Sequence, residues 1–324
     1  MVLIHLFFIY NTSKMKKLLI ILATSILIFA CSGGNGVGGD IDGDGTGSTP
    51  TPPTEENTPA PPTIDPLNTN ANIGGEKYAY RIEIPALSDD DAFTTRYTMV
   101  NGEENITYSI SHNLERKHSR WVAFTFNKSN RDKKVNRSDN FMADPDYIGN
   151  YTMTSKQING NGFQRGHLVA SYDRVYSREA NEQTFYMSNI SPMLSKFNTG
   201  LWNELEYMIN QPGKGWGCNH NFADTLYVVK GGTINEGQYT SKGTCPTVPD
   251  YFFMALLRLK DNTYYGIAFL MPHKNYLPGS VKDYMCTIDE LEEFTGIDFF
   301  CNLSDKLENA VEKSPINTNS WNIK

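Results

Sequence analysis

No pair of cysteines in this sequence shows the short Cys-x-x-Cys spacing of a structural zinc site, which argues against a zinc ribbon or finger. An excess of base is missing too: 324 residues hold 29 Lys and Arg against 36 Asp and Glu, a net charge of −7. A chain of that sign does not find nucleic acid by global attraction, so a polyanionic substrate would need a local basic face. No apolar run reaches bilayer length. The most hydrophobic stretch, residues 15–30 (MKKLLIILATSILIFA), is too brief for a stable span. No segment repeats at a fixed period, which sets solenoids and propellers aside.

What the N-terminal stretch does have is a short basic start, an apolar run, small residues and then Cys31. That is the pattern of a bacterial lipoprotein signal, in which the cysteine is acylated and becomes the new N-terminus; an ordinary signal peptide or an uncleaved helix would be the alternatives. Met15 reads as the start, with residues 1–30 as the signal region. Ser32 after the cysteine, in place of aspartate, favours the outer membrane. Residues 31–75 are Gly-rich, then Pro- and Thr-rich, and read as a flexible tether. Within them Asp40, Asp42, Asp44 and Gly45 mimic the start of a calcium loop, but Thr51 stands where the bidentate Glu belongs.

Charge changes meaning once these parts are separated. The first 30 residues carry Lys14, Lys16 and Lys17 and no acid, so the remainder carries −10; the tether's six acids and no base leave −4 for residues 76–324. Arg116, Lys117, Arg120, Lys128, Arg131, Lys133, Lys134 and Arg137, against Asp132 alone, form one concentrated basic run. It reads as either a solvated loop or the local face that a polyanion needs. Cys218, Cys245, Cys286 and Cys301 remain after Cys31, an even number that in an exported chain predicts two disulfides. Three connectivities are open, and sequence neighbours favour Cys218–Cys245 and Cys286–Cys301.

Residues 76–324 suit one domain. KYAYRIEIP (77–85) and NITYSISHN (105–113) alternate like half-buried strands, and RWVAFTFN (120–127) is a more continuous apolar strand. DTLYVVKGG, YFFMALLRLK and YYGIAFLMP read as buried strands of a central sheet. Helices are expected over 177–184 and 199–210, and CTIDELEEFTG opens on a capping box, Thr287 with Glu290, and stops at Gly296. Strands joined without regular helical crossovers predict an α+β fold: a central antiparallel sheet flanked by helices.

Three pieces within about forty residues carry the chemistry: QRGH (164–167), YMSNISPM (186–193) and NTGLWNELE (198–206). Phosphodiester hydrolysis needs a base to activate water and a cation or metal to hold the non-bridging oxygens. His167 is a base whose reference pKa lies near working pH. Arg165 offers a permanent charge and a forked donor suited to phosphate. Gly166 is read as permitting a tight turn that aims both side chains into one cleft. If Asn198 begins a helix, Glu206 lies about 80° round the axis and about 12 Å along it. That spacing suits one direct ligand and one acting through a water, and magnesium uses few protein ligands. Leu201, Leu205 and Ile209 make a core stripe, with Trp202 also core.

In this order and spacing, RGH, SNISP and NTGLWNELE resemble the DNA/RNA non-specific endonucleases of the ββα-metal (His-Me finger) nucleases, a resemblance that extends over most of residues 77–305. It implies a ββα-metal motif and hydrolysis of DNA and RNA. His167 would be the general base and Asn198 the direct ligand of a single Mg2+, or Mn2+. Glu206 would act through a water on that ion, and Arg165 would contact the scissile phosphate. Asn189 would shape the site and fix the imidazole, and Arg137 would be a second phosphate contact. The family usually has Asp before RGH; this chain has Gln164, which keeps hydrogen bonding but removes a charge. Glu204 would face solvent, and His112, His118, His220 and His273 are given no role. A non-catalytic surface lipoprotein that binds nucleic acid or glycan is the alternative, and a phosphodiesterase for small or lipid-linked substrates a third.

Overall fold

The computed structural model describes residues 68–72, 76–234, 239–242 and 245–323, with the backbone alone for 239–242 and 245–246. The signal region, Cys31 and most of the expected tether lie outside the described residues. Among the described residues no helix is long and apolar enough to cross a membrane.

In chain order the strands are β1 (Ala92–Val100), β2 (Glu103–Asn113), β3 (His118–Phe126), β4 (Gln164–His167), β5 (Ile190–Met193), β6 (Thr225–Gly232), β7 (Tyr239–Lys242), β8 (Cys245–Pro249), β9 (Tyr251–Lys260), β10 (Thr263–Pro272) and β11 (Met285–Cys286). The α-helices are α1 (Ser155–Gly160), α2 (Arg178–Gln183), α3 (Ser195–Asn198), α4 (Leu201–Asn210), α5 (Ile288–Thr295) and α6 (Asp305–Glu312). Seven strands form one sheet in the order β1-β2-β3-β6-β9-β10-β11, antiparallel throughout. β4 pairs with β5, and β7 with β8.

Strand alternation divides the core in two. Val122, Phe124, Val228, Met254 and Phe269 face one side, where they meet Trp202, Leu205 and Ile209 of α4 together with Leu168, Met193 and Phe197. Trp121, Ala123, Val229, Phe253 and Ala268 face the other, against Ile288 and Leu291 of α5, Val311 of α6, Ile297 and Phe299. Both faces are covered, which is why β6, β9 and β10 read as near-continuous apolar runs. The expected α+β architecture is the one observed, and α5 carries its predicted capping box and the left-handed Gly296 at φ 70°.

Residues 77–85 are a correction: they form turns, not a strand. Tyr78 has φ 76°, and Ala79, Arg81 and Ile84 each donate to a carbonyl three residues back. Asn302 takes the place of a partner strand, its Nδ2 donating to the carbonyls of Ala79, Arg81 and Ile84. Apolar alternation over nine residues suits a turn series of this kind as well as it suits a ladder. Asn68, Thr69, Asn70 and Asn72, from the stretch expected as tether, bond to Leu303, Asp305, Glu308 and Asn302.

The disulfides are a second correction. Cys218, Cys286 and Cys301 are free thiols, so neither Cys218–Cys245 nor Cys286–Cys301 forms; the Cys245 side chain lies outside the described residues. Two of the thiols are engaged elsewhere: Cys218 Sγ donates to the Asn210 carbonyl and Cys301 Sγ to the Ile84 carbonyl. Cys286 pairs through its backbone with Ala268 at the sheet edge, while Cys301 sits within the α5–α6 connection.

Candidate active site

The motif QRGH is strand β4, and strand periodicity explains its arrangement. Residues two apart share a face, so Arg165 and His167 both look into the cleft while Gly166 looks the other way. Gly166 is therefore not a turn residue, as the sequence suggested. A Cβ there would overlap the Met193 side chain across the β4–β5 pair. Asn189 stands just before β5. Its Oδ1 accepts from Val169 N at 2.9 Å, and its Nδ2 donates to the Val169 and Thr184 carbonyls. Its side chain thus bonds the backbone that follows His167.

His167 is 9% exposed, and its Nε2 is buried with no hydrogen-bond partner. Burial, then the charges of Arg137, Lys230 and Arg165, push its pKa down to about 3, so the ring is neutral. Two phenylalanines hold the group together. Phe141 and Phe185 meet edge-on at 5.0 Å, and the imidazole touches both, at 5.4 and 4.8 Å. The Arg165 guanidinium lies 3.8 Å from the Phe141 ring centre and that of Arg137 4.8 Å from Phe185. Cation–π contact thus sets both guanidiniums beside the imidazole.

Asn198 ends α3, and Gly200 separates it from α4, which carries Glu206. The single-helix estimate of their separation does not apply, because two short helices meet there. Asn198 Nδ2 donates to Gln164 Oε1 at 2.9 Å, and Gln164 Nε2 donates to Ser195 Oγ at 3.0 Å. With its NH2 group committed to Gln164, Asn198 has its amide oxygen available for a ligand. One cavity of about 480 Å³ is lined by Arg137, Arg165, His167, Asn198 and Glu206, with Tyr172 and Asn203 at its walls. All five residues expected at the centre of the site therefore share it, and Asn189 lies behind it.

Residues 90–306 match the family model described as DNA/RNA non-specific endonuclease. The chain belongs to that family. A nuclease of Nostoc sp. is 30% identical over 226 residues, which is 67% of this chain and 77% of the relative. Nuclease C1 of Cunninghamella echinulata is 28% identical, over 63% of this chain and 83% of that one. A chain of the crystal structure of the EndoG/EndoGI complex superposes with a TM-score of 0.53 at 20% identity, covering 62% of this chain and 85% of that chain, which supports the fold. The protein is a non-specific nuclease, a hydrolase that acts on nucleic acid.

The nuclease has functional-site features that its sequence did not disclose. Lys230 on β6 is fully buried, and its Nζ donates to Asp173 at 2.9 Å and to Glu206 at 3.2 Å. Asp173 also accepts from Asn210 Nδ2 and Ala170 N. Burial raises the Glu206 carboxyl and Lys230 pulls against it; the two carboxylates in turn hold the Lys230 ammonium above its ordinary value. A lysine inside the apolar run TLYVVKGG was the available signal. His273, given no role, accepts from Leu194 N at 2.7 Å and bonds the Pro249 carbonyl, holding the start of α3. Trp202 is core and Glu204 is exposed, as expected.

The basic run does not form one face. β3 crosses it, Arg131 is buried against the Ala223 and Asp224 carbonyls, and Arg120 is paired with Asp91. Of that run Arg137 lines the cleft, and Lys133 reaches it indirectly, over the ring of Tyr172.

Proposed function

We propose that this nuclease cleaves phosphodiester bonds of DNA and RNA with His167 as general base and one Mg2+, or Mn2+, in the cleft. The observation that carries this is the shared cavity of His167, Arg165, Arg137, Asn198 and Glu206. The donor set fits a hard divalent ion: an amide oxygen left available by Gln164 and a carboxylate, with no sulfur. Asn198 would hold the ion directly and Glu206 through a water. When bound, the ion would neutralise charge on the non-bridging oxygens and the leaving oxygen.

The chain's own residues do the rest. Arg165 and Arg137 clamp the phosphate and set phosphorus before the imidazole. The neutral imidazole of His167 takes a proton from water as the water oxygen bonds to phosphorus; the P–O bond to the leaving group breaks, and its electron pair departs with that oxygen. The phosphate offsets the two guanidinium charges that depress the imidazole, so basicity rises when substrate is in place. Lys230, held in place by Asp173, pairs with Glu206 and counters the burial that raises its carboxyl. Supercoiled plasmid and single-stranded RNA, incubated with magnesium or with chelator, test this. Metal-dependent cleavage of both, lost in His167→Ala, is expected; cleavage that survives that substitution would refute it.

Export and acylation at Cys31, with an anchor in the outer membrane, complete the proposal. They are supported by the apolar run that ends in small residues at the cysteine. Radiolabelled palmitate should enter the wild type and not Cys31→Ala.

A further inference from the structure

On the sheet face opposite the cleft, five carboxylates gather at the junction of α5 and α6. Asp289 and Glu292 come from α5, Asp298 from the connection, and Glu308 and Glu312 from α6. One oxygen each of Asp289, Glu292 and Glu312 lie within 4.8 Å of one another, and the same is true of Asp298, Glu308 and Glu312. Among the described residues none of the five is in an ion pair with lysine or arginine.

Acids often cluster on a surface without a ligand. Here Glu312, shared by both trios, is 8% exposed, and its Oε1 is buried with no hydrogen-bond partner. A carboxylate oxygen removed from water needs a donor or a positive charge. The hydrogen bonds present go to its neighbours: Asn70 Nδ2 donates to Glu308 at 2.8 Å and Asp298 at 3.2 Å, and Phe299 N to Glu292 at 2.7 Å. Burial and mutual repulsion push Glu292 and Glu312 up to about 8, the direction expected where a counter-charge is missing.

The chemistry of that counter-charge is legible from the donors. All are carboxylate oxygens, which select hard cations over zinc or copper. Oxygens bonded at about 2.3–2.6 Å to one ion stand up to about 5 Å apart, which matches the observed spread. Calcium tolerates several carboxylates in an irregular shell, whereas magnesium demands a near-octahedral one. We propose that a calcium ion binds between α5 and α6 with Glu312 as its central ligand. It fastens α6 to α5 and, through Asn70, the segment 68–72 to both. This site is separate from the cleft and does not rest on the hydrolytic reading.

Chelator-stripped full chain titrated with calcium chloride, by calorimetry and by thermal melting, tests it. At least one equivalent should bind, and roughly 10 mM calcium should raise the melting temperature by about 3 °C or more. Glu312→Gln should lose both effects, while Asn198→Ala, in the cleft, should keep them. Should Glu312→Gln fail to fold, Glu292→Gln paired with Glu308→Gln serves instead, with terbium luminescence displaced by calcium as the readout. No calcium-dependent rise in the wild type, or the same rise in the α5–α6 variant, would overturn the proposal.

Discussion

The Asn198 side-chain amide donates to the Gln164 carbonyl oxygen at 2.9 Å, so the residue that departs from the family pattern directly orients the expected metal ligand. Gln164 holds Asn198 from one side and Ser195 from the other, tying β4 to both ends of α3.

That contact makes Gln164 a positioning residue. Gln164→Ala should lower kcat by roughly 10–100-fold, the usual cost of removing a partner from a ligand. Gln164→Glu keeps an acceptor for Asn198 Nδ2 and should retain activity within a few-fold. Steady-state cleavage of a labelled oligonucleotide over a range of magnesium concentrations distinguishes the two.

Arg165 and Arg137 should separate kinetically. Arg165→Lys keeps the charge but loses the fork and the guanidinium contact over the Phe141 ring, so kcat/KM should fall roughly tenfold, about 1.4 kcal/mol. Arg137, partly exposed and weakly paired with Asp139, should act mainly on binding. Arg137→Ala should raise KM and flatten its dependence on salt, with kcat little changed.

Lys230 is the buried counter-charge for two carboxylates. Lys230→Met leaves Asp173 and Glu206 facing each other without it and should destabilise the fold by about 3–5 kcal/mol, read from urea unfolding. Asp173→Asn with Lys230→Met should recover part of that loss, since a double change removes charge of both signs.

The acid limb of stability should carry a histidine signature. His118 is buried, donates through Nδ1 to the Ser119 carbonyl, and lies 2.6 Å from Ser191 Oγ; burial depresses its pKa from 6.5 to about 4. In this window the unfolded chain binds the proton and the folded one does not. The stabilisation is therefore complete above pH 6.5 and is lost as pH falls toward 4, on the order of 3 kcal/mol in all. His118→Asn should make unfolding free energy fall less steeply between pH 6.5 and 4.

Much of this was legible in the sequence because the relevant patterns are local. Apolar alternation marked β2, near-continuous apolar runs marked β3, β6, β9 and β10, and Thr287, Glu290 and Gly296 marked both ends of α5. QRGH and NTGLWNELE carried the site because their residue types are chosen by chemistry. What escaped was set by distant partners. Residues 77–85 are turns because Asn302, over two hundred positions away, supplies their hydrogen bonds. Phe141 and Phe185 belong to none of the motifs, and only folding puts them beside two guanidiniums and an imidazole. β1 (AFTTRYTMV) has too little alternation to stand out, and its pairing with β2 decides it. Even cysteine number misled because it records no distance.

The account rests on Asn198 and His167 serving one ion and one phosphate, and the position of a bound cation tests this most directly. Crystals soaked in manganese, phased on its anomalous signal, should show a peak at about 2.1 Å from Asn198 Oδ1 in the cavity that His167 also lines. Glu206 should be bridged to that peak by a water. A cleft ion that leaves Asn198 uncoordinated, or binds the imidazole nitrogen itself, would contradict the account.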